Sequence, residues 1–222
     1  MNYKSNSFEK HVGFTITTDN IVQAVDELNE FLTKLPVLLF KNIDFKTTGS
    51  LMGAVLCHQL AEKIGTAIVN PIEKGYPDLI PASAADSPEE LLRNYPSGLE
   101  IKGTVGNLKQ GIRLHGGQTR IHQLSGITWQ AHHREGKLLL GFIWDFIHEH
   151  DHFLYPAITA VYFSDKLEES DWGSISGTTG RNTKVTGLRK SGLQKMGEGL
   201  ILVLDEEIYK SKYAKYLYYD NH

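Results

Sequence analysis

Apolar residues recur at helical spacing near the start of the chain. Residues 21–35 carry Ile, Val and Leu side chains on one side of a helical projection, which predicts an amphipathic helix. Asp19 or Asn20 can cap its start, and Pro36 should end it. Residues 37–40 follow directly as an unbroken apolar run, and we expect a short buried strand there.

A second helical pattern lies further along the chain. Its apolar positions run from about Ser50, the expected N-cap, to Ile64, and Gly65 is placed to terminate the helix. Residues 86–92 predict a short third helix, because Pro88 suits the first helical position and acidic residues follow it. These helices come before most of the strand signals.

Alternation of polar and apolar residues predicts strands in the second half of the chain. In residues 99–105 the odd-numbered positions should point to one face, and Glu100, Lys102 and Thr104 to the other. Further strands are expected at 127–132, 138–147, 157–163 and 200–204, the second of them at the centre of the sheet, with helices at 191–199 and 206–219.

This order of elements predicts the α/β class, as a single domain over residues 1–222 with a central mixed β-sheet flanked by helices on both sides. A chain of 222 residues can bury a full core, and 41% hydrophobic and 22% charged residues are typical of globular proteins. The single cysteine excludes an intramolecular disulfide and a cysteine-based zinc cluster. Because no apolar stretch approaches membrane-spanning length, we expect a cytoplasmic protein without a membrane partner.

Three polar residues in the middle of the chain indicate metal-dependent chemistry. Glu100 and Lys102 share one face of a predicted strand, and Asp78 follows Pro77 in a separate segment. An Asp brought beside this pair would suit a hard cation such as Mg²⁺, which takes one or two carboxylates together with water and phosphate oxygens. Such a site can activate a water for in-line displacement at phosphorus. The structural alternative is a surface Glu-x-Lys on an edge strand and an Asp in a turn.

At these residues the chain resembles the PD-(D/E)xK nuclease superfamily. Pro77-Asp78 matches the first half of the motif, and Glu100-Ile101-Lys102 matches the second. The resemblance implies a restriction-endonuclease-like fold in which Asp78 and Glu100 hold Mg²⁺, with the carbonyl oxygen of Ile101 as a further ligand. It also implies that Lys102 orients or deprotonates the attacking water, or stabilises the charge that develops on the phosphate.

Many nucleases of this superfamily take a further acidic residue from a helix ahead of the motif. This makes Glu62 a candidate catalytic residue. At about 100° per residue it falls over Leu51, at the edge of the apolar stripe of the second helix, and its carboxylate could reach towards whatever that helix packs on. The alternative is a solvent-exposed Glu beside Lys63.

Two stretches after the motif carry basic residues and no Asp or Glu. Residues 101–134 contain five Lys or Arg, and residues 172–197 contain five more, within a chain of net charge −3. Lys and Arg attract phosphates, whereas Arg, Gln and Asn can read base edges. The predicted contacts with double-stranded DNA are Lys109, Arg113, His115, Gln118, Arg120, Gln130, His132, Arg181, Asn182 and Lys184. Glycine-rich surface loops are the alternative for both stretches.

The densest group of potential metal ligands lies elsewhere, at residues 148–152. Three His, one Glu and one Asp occur there in succession, and they could hold Zn²⁺. The segment also lies between two predicted strands and matches a polar turn, and no fourth ligand is evident from spacing. Both interpretations stay open at this point.

These features together predict a type II restriction endonuclease with Mg²⁺ as cofactor. The resemblance implies hydrolysis that leaves a 5′-phosphate and a 3′-hydroxyl. We expect a homodimer, because a palindromic site presents two equivalent halves to a two-fold symmetric protein. The alternatives are a structure-selective repair or junction nuclease of the same superfamily, a non-catalytic DNA-binding protein, and a metal-dependent hydrolase built on residues 148–152.

Overall fold

Helices and strands alternate along the chain around one central sheet. The structure, a computed structural model, describes residues 1–104, 106–131, 134, 136–176 and 185–218. Its helices are α1 (Thr18–Thr33), α2 (Val37–Asn42), α3 (Phe45–Ile64), α4 (Glu89–Leu92), α5 (Lys190–Gly197) and α6 (Glu207–Leu217). Its strands are β1 (Tyr3–Ser5), β2 (Glu9–His11), β3 (Thr15–Thr17), β4 (Ala67–Val69), β5 (Leu79–Pro81), β6 (Glu100–Thr104), β7 (Asn107–Leu108), β8 (Leu124–Gly126), β9 (Gln130–Ala131), β10 (Leu139–His150), β11 (Phe153–Ser164), β12 (Thr186–Gly187) and β13 (Leu200–Leu204).

The central sheet has five strands in the order β1-β13-β11-β10-β6. β10 and β11 form a long antiparallel hairpin, whereas β6 pairs with β10 in parallel, so the sheet is mixed. β6 and β1 are therefore the two edges. Small two-stranded pairs, β2-β3, β4-β5, β7-β8 and β9-β12, surround the sheet. This arrangement confirms the expected single α/β domain with a mixed central sheet.

Two large hydrophobic cores lie on opposite faces of the sheet. On one face, α1 and α3 pack on side chains such as Phe142 and Trp144 of β10. On the other, α5 and α6 and the buried Trp129 pack on side chains such as Ile143. Helices thus cover both faces, as expected. None of the described helices is long and apolar enough to cross a membrane.

The helix starts differ from the expected ones. α1 is capped by Thr17, whose hydroxyl accepts from the Asn20 N–H while the Asn20 side chain accepts from the Thr17 N–H. α3 begins after Asp44, whose carboxylate accepts a hydrogen bond from the Thr47 N–H at 2.6 Å. The prediction that Ser50 caps this helix is wrong, since its hydroxyl lies inside α3 and donates to a carbonyl one turn earlier. The C-terminus at Gly65 is confirmed, with a positive φ of 70°.

The strand predicted at residues 37–40 is wrong, because these residues form α2. Pro36 occupies the N-cap position, where its missing N–H costs nothing. The helical turn buries Phe40 completely and leaves Leu38 70% exposed. A four-residue apolar run has no period that separates a strand from a helix, so tertiary packing decides between them.

Of the strand predicted at 127–132, His132 lies outside the described residues, and residues 127–131 form it only in part. Gln130 and Ala131 pair with β12, but Trp129 turns into the second core, against the backbone of Gly141. A Cβ atom at Gly141 would lie 2.6 Å from the Trp129 ring, so the glycine makes room for it. The strands predicted at 138–147, 157–163 and 200–204 and the helices at 191–199 and 206–219 are confirmed as β10, β11, β13, α5 and α6, with shifted ends.

Candidate active site

Backbone hydrogen bonds join the segment that carries Asp78 to the open edge of the central sheet. The N–H and C=O groups of Leu79 bond to those of Leu99 at 3.0 and 2.9 Å, immediately before β6 begins. A Cβ atom at Gly98 would lie 2.2 Å from the carbonyl oxygen of Leu79, so this approach requires glycine. The residues between the two segments form an excursion that contains α4. The consequence is that Asp78 lies beside Glu100.

The three motif residues meet at this edge. Asp78 Oδ2 accepts a hydrogen bond from the backbone N–H of Ile101 at 2.7 Å and lies 3.9 Å from Lys102 Nζ. Lys102 Nζ forms an ion pair with Glu100 Oε1. Glu100 and Lys102 share a face of β6, as the alternation predicted. They pair in register with Leu139 and Gly141, which are also two positions apart and share a face of β10.

Burial and like charge make Glu100 an unusual carboxyl group. Its residue is 6% exposed, and desolvation together with the negative charge of Asp78 raises the pKa of Glu100 to about 7. Burial alone would lower the pKa of Lys102, but the carboxylates of Glu100 and Asp78 outweigh it and raise that pKa. The second oxygen, Oε2 of Glu100, is buried and has no hydrogen-bond partner among the described residues.

These features fit a divalent cation. A buried carboxylate oxygen without a partner, next to a second carboxylate, is stabilised when a cation binds between them. In a strand, the N–H and C=O groups of one residue face the same neighbour. Since the Ile101 N–H points at Asp78, its carbonyl oxygen faces the same edge. Two carboxylates and a carbonyl leave positions for water and phosphate, as Mg²⁺ prefers.

No group of three or more His, Cys, Asp or Glu side chains within the described residues is placed to hold a metal ion. This applies to the His-rich segment 148–152. Asp151 and His152 form the tip of the β10-β11 hairpin with φ values of 47° and 61°, so the polar-turn interpretation is correct for these two residues, whereas residues 148–150 form the end of β10. Asp78 and Glu100 are only a pair of carboxylates, and beyond the Ile101 carbonyl oxygen a cation there would depend on non-protein oxygens for the rest of its shell.

A cleft of about 630 Å³ runs along the open edge of β6 past Asp78 and Lys102. One wall is the face of α3 with the small residues Gly49, Gly53 and Ala54, and Thr128 and Gln130 also line the cleft. Cys57 of α3 marks the end nearest the carboxylates. Burial, followed by the charges of Asp78 and Glu100, raises the pKa of its thiol.

Nine of the ten predicted DNA contacts fall into three groups, and Arg120 is the tenth. Gln130 is exposed and lines the cleft. Lys109, Arg113, His115 and Gln118 lie on the loop between β7 and β8 and do not line the cleft. His132, Arg181, Asn182 and Lys184 lie outside the described residues.

Arg120 is a correction to the predicted DNA contacts. It is 1% exposed, its guanidinium donates to the carbonyl oxygen of Trp144 and stacks 4.3 Å from the centre of that ring, and Asp145 lies 3.8 Å away. Asp145 in turn accepts backbone hydrogen bonds from Arg120, Ile121 and Phe146. A side chain sealed in this network cannot reach a nucleic acid.

Glu62 is not brought to the motif residues. Its side chain is 56% exposed and lies 3.5 Å from His58, one turn earlier on α3. Cys57, which lines the cleft, is five positions away, or about 140° around the helix. The catalytic role expected for Glu62 therefore has no support in this arrangement, and the solvent-exposed alternative describes it.

The sequence patterns did not predict two lysines that line the cleft. Lys46 lies in the first turn of α3, and Lys74 lies in the loop before Asp78. Recognition of Asp44 as the N-cap would have placed Lys46 on the same helix face as Gly49, Gly53 and Cys57. No sequence signal distinguishes Lys74. The chain as a whole matches no family model, no curated protein and no solved structure.

Proposed function

We propose that this protein is a Mg²⁺-dependent endonuclease that cleaves double-stranded DNA, similar to the type II restriction enzymes of the PD-(D/E)xK superfamily. One observation carries the proposal: Asp78, Glu100 and Lys102 converge at an open sheet edge, where Asp78 and Lys102 line a cleft and Glu100 lies buried beside them. Asp78 and Glu100 are 22 positions apart (100 − 78), and no local structure would bring them together by default. A restriction-endonuclease-like fold is part of the same proposal.

In this proposal Asp78, Glu100 and the Ile101 carbonyl oxygen hold Mg²⁺. When bound, the metal supplies Lewis-acid activation of a water and neutralises charge on the phosphate. Reaction of water at phosphorus breaks the bond to the 3′ oxygen. The products are a 5′-phosphate and a 3′-hydroxyl, with the proton of the water transferred to solvent or to the leaving oxygen.

Lys102 contributes a positive charge at the reacting phosphate. Its pKa is raised by the adjacent carboxylates, so the side chain is an ammonium group at neutral pH. An ammonium orients water and stabilises negative charge as a hydrogen-bond donor, and it does not accept a proton. Between the roles that the resemblance implies, the electrostatics therefore favour orientation and charge stabilisation over proton abstraction.

The test is incubation of the purified protein with long duplex DNA and Mg²⁺. Asp78→Ala and an EDTA sample are run beside the wild type. We expect discrete fragments that require both the metal and Asp78, with 5′-phosphate ends. Cleavage that survives Asp78→Ala would overturn the proposal, because this carboxylate is central to it.

The same assay, repeated with branched or flapped DNA, separates the alternatives. A structure-selective nuclease would leave plain duplex intact and cut branched or flapped DNA in a metal-dependent manner. A non-catalytic DNA-binding protein would bind duplex DNA and cut neither substrate. Glu62→Gln serves as the matched control, because it neutralises an exposed acid on α3 outside the cleft and should leave cleavage unchanged.

A further inference from the structure

The cleft beside the motif contains two lysines at positions that local structure disfavours. Lys46 is the second residue of α3, where a positive charge opposes the positive end of the helix dipole, and the N-cap carboxylate of Asp44 offsets part of this repulsion. Lys74 has a φ of 60°, a left-handed conformation that residues other than glycine rarely adopt. Both side chains line the cleft. Residues that break a local rule at a cleft are typical of functional sites.

The backbone around Lys74 is held in place by a side-chain amide. The Asn70 side chain donates to the carbonyl oxygens of Pro77 at 3.1 Å and Leu92 at 2.8 Å, and its backbone N–H donates to the Asp78 carbonyl at 2.9 Å. The turn that presents Lys74 is therefore tied to the same segment that positions Asp78. Lys74 therefore lines the same cleft as Asp78 and is held there by this turn.

Lys46 lies at the far end of the same cleft. Lys46 and Cys57 are eleven positions apart on α3 (57 − 46), or ~16.5 Å at 1.5 Å per residue. That distance corresponds to a few nucleotides of a DNA strand. Many lysines of the described chain form ion pairs with carboxylates, for example Lys63 with Glu27 and Lys195 with Asp171. Within the described residues, neither Lys46 nor Lys74 forms an ion pair.

We propose that Lys46 and Lys74 are phosphate-binding residues that hold a DNA strand along the cleft, away from the phosphate that is cleaved. This inference rests on the proposed function and names how that site binds its substrate. The contacts are to the backbone, so they add affinity without sequence preference. Lys102, paired with Glu100, acts at the reacting phosphate, and these two lysines act on its neighbours.

The experiment measures binding without cleavage. Fluorescence anisotropy with fluorescein-labelled duplexes, one AT-rich and one GC-rich, is recorded in EDTA over about 50–200 mM salt. The variants are Lys74→Gly, Lys46→Ala and the double variant. The charge control is Lys4→Ala, an exposed lysine on β1 at the opposite edge of the sheet. The backbone control is His152→Gly, which relieves a left-handed residue at an exposed hairpin tip.

We expect each cleft variant to weaken binding to both duplexes alike. The slope of log K against log[salt] should fall by about 0.9 per lost phosphate contact, and by about twice that in the double variant. The melting temperature of Lys74→Gly should equal or exceed that of the wild type, because the change removes a left-handed backbone strain. That of Lys46→Ala should stay close to that of the wild type, because Lys46 is an exposed helical residue. A purely structural role would lower the melting temperature instead. Lys4→Ala and His152→Gly should bind like the wild type.

A wild-type salt slope in Lys74→Gly and Lys46→Ala would overturn this inference, as would a wild-type protein that binds neither duplex. Failure of the proposed function has a different signature, namely the absence of Mg²⁺-dependent cleavage by the wild type. If the wild type cleaves DNA but the variants show unchanged salt slopes, the proposed function stands and the two lysine contacts are wrong.

Discussion

Glu100 shows how a single residue acquires its properties from its surroundings. Desolvation and the charge of Asp78 raise its pKa from 4.5 to about 7, so folding without a metal favours the protonated form. Between these two pH values the folded protein binds more protons than the unfolded chain. The stability of the metal-free folded protein therefore falls as pH rises through this range. Lys102 does not reverse this trend, because its raised pKa lies far above the window.

Glu100→Gln is expected to stabilise the metal-free protein at pH 8 by up to about 3 kcal/mol, because Gln lacks the buried charge. Near pH 5 the difference should shrink towards zero, because Glu100 is then protonated in the folded wild type as well. Urea unfolding in EDTA at the two pH values measures this. Mg²⁺ should raise the melting temperature of the wild type at pH 8 but not that of Glu100→Gln.

Glu62→Gln is the matched control for this prediction. The same substitution at an exposed carboxylate should change stability by less than about 0.5 kcal/mol at either pH. If Glu100→Gln were destabilising at pH 8 in EDTA, the ion pair of Glu100 with Lys102 would outweigh the cost of its burial. Desolvation would then not be the dominant influence on the pKa of Glu100.

Arg120 and Arg113 are expected to respond in opposite ways to substitution. Arg120→Ala removes one partner of a buried charge network and should cost about 3–5 kcal/mol of unfolding free energy. Arg113→Ala alters an exposed side chain, so it should leave stability within about 0.5 kcal/mol and weaken DNA binding. Denaturant unfolding and anisotropy separate the two effects. Arg120→Lys, which keeps the charge, tests the network if Arg120→Ala does not fold. Unchanged stability in Arg120→Ala would contradict the structural role.

At the scale of elements, α3 connects the fold to the site. Its core face carries Met52, Leu56 and Leu60, and another face lines the cleft with small residues. Small side chains keep the backbone of α3 close to the cleft and leave room for a substrate beside β6. The helix also begins six residues earlier than its apolar stripe indicates. That extension places Phe45 against the rings of Trp144 and Phe146 and brings Lys46 to the cleft.

The start of α3 can be tested by its cap. Asp44→Ala removes the side chain that accepts from the Thr47 N–H, and it should cost about 1 kcal/mol of stability. Ser50→Ala is the comparison, because Ser50 lies within the helix and its removal should cost less than about 0.5 kcal/mol. Urea unfolding of both variants is the measurement. The reverse order of effects would mean that the helix starts at Ser50.

β6 positions the chemistry because it is an edge strand. One side of β6 bonds to β10, and the other side is free to accept the Asp78 segment and a substrate. A central strand has both sides occupied by neighbouring strands and could not present its backbone in this way. Leu79 covers the start of this edge, and further along the edge opens into the cleft. The covered part limits pairing of β6 with a strand of a second chain.

At the scale of the molecule, the proposed function carries an expectation about assembly. A palindromic DNA site has two equivalent halves, so we expect a homodimer with one cleft on each half. Sedimentation velocity should give twice the mass of one chain, either free or on duplex DNA. A monomer in both conditions would contradict the dimer but leave the cleavage assay to decide the chemistry.

Local signals along the chain determined much of the fold. Helical periodicity predicted α1 and most of α3, and long apolar runs predicted β10, β11 and β13, because burial of an amphipathic face needs little more than the right period. The motif residues Asp78, Glu100 and Lys102 were also identifiable as a group, and the alternation of residues 99–105 correctly placed Glu100 and Lys102 on one face of β6.

Tertiary structure alone decided where isolated polar residues lie. Arg113 and Arg120 have the same chemistry and similar neighbours in the chain, yet one is exposed and the other is buried beneath Trp144. Glu62 and Asp78 were both candidate acids, and only Asp78 is held at β6, by the backbone bridge between its neighbour Leu79 and Leu99. Lys74 became a cleft residue through a left-handed turn. Burial and proximity depend on contacts between residues distant in sequence, and no local pattern encodes them.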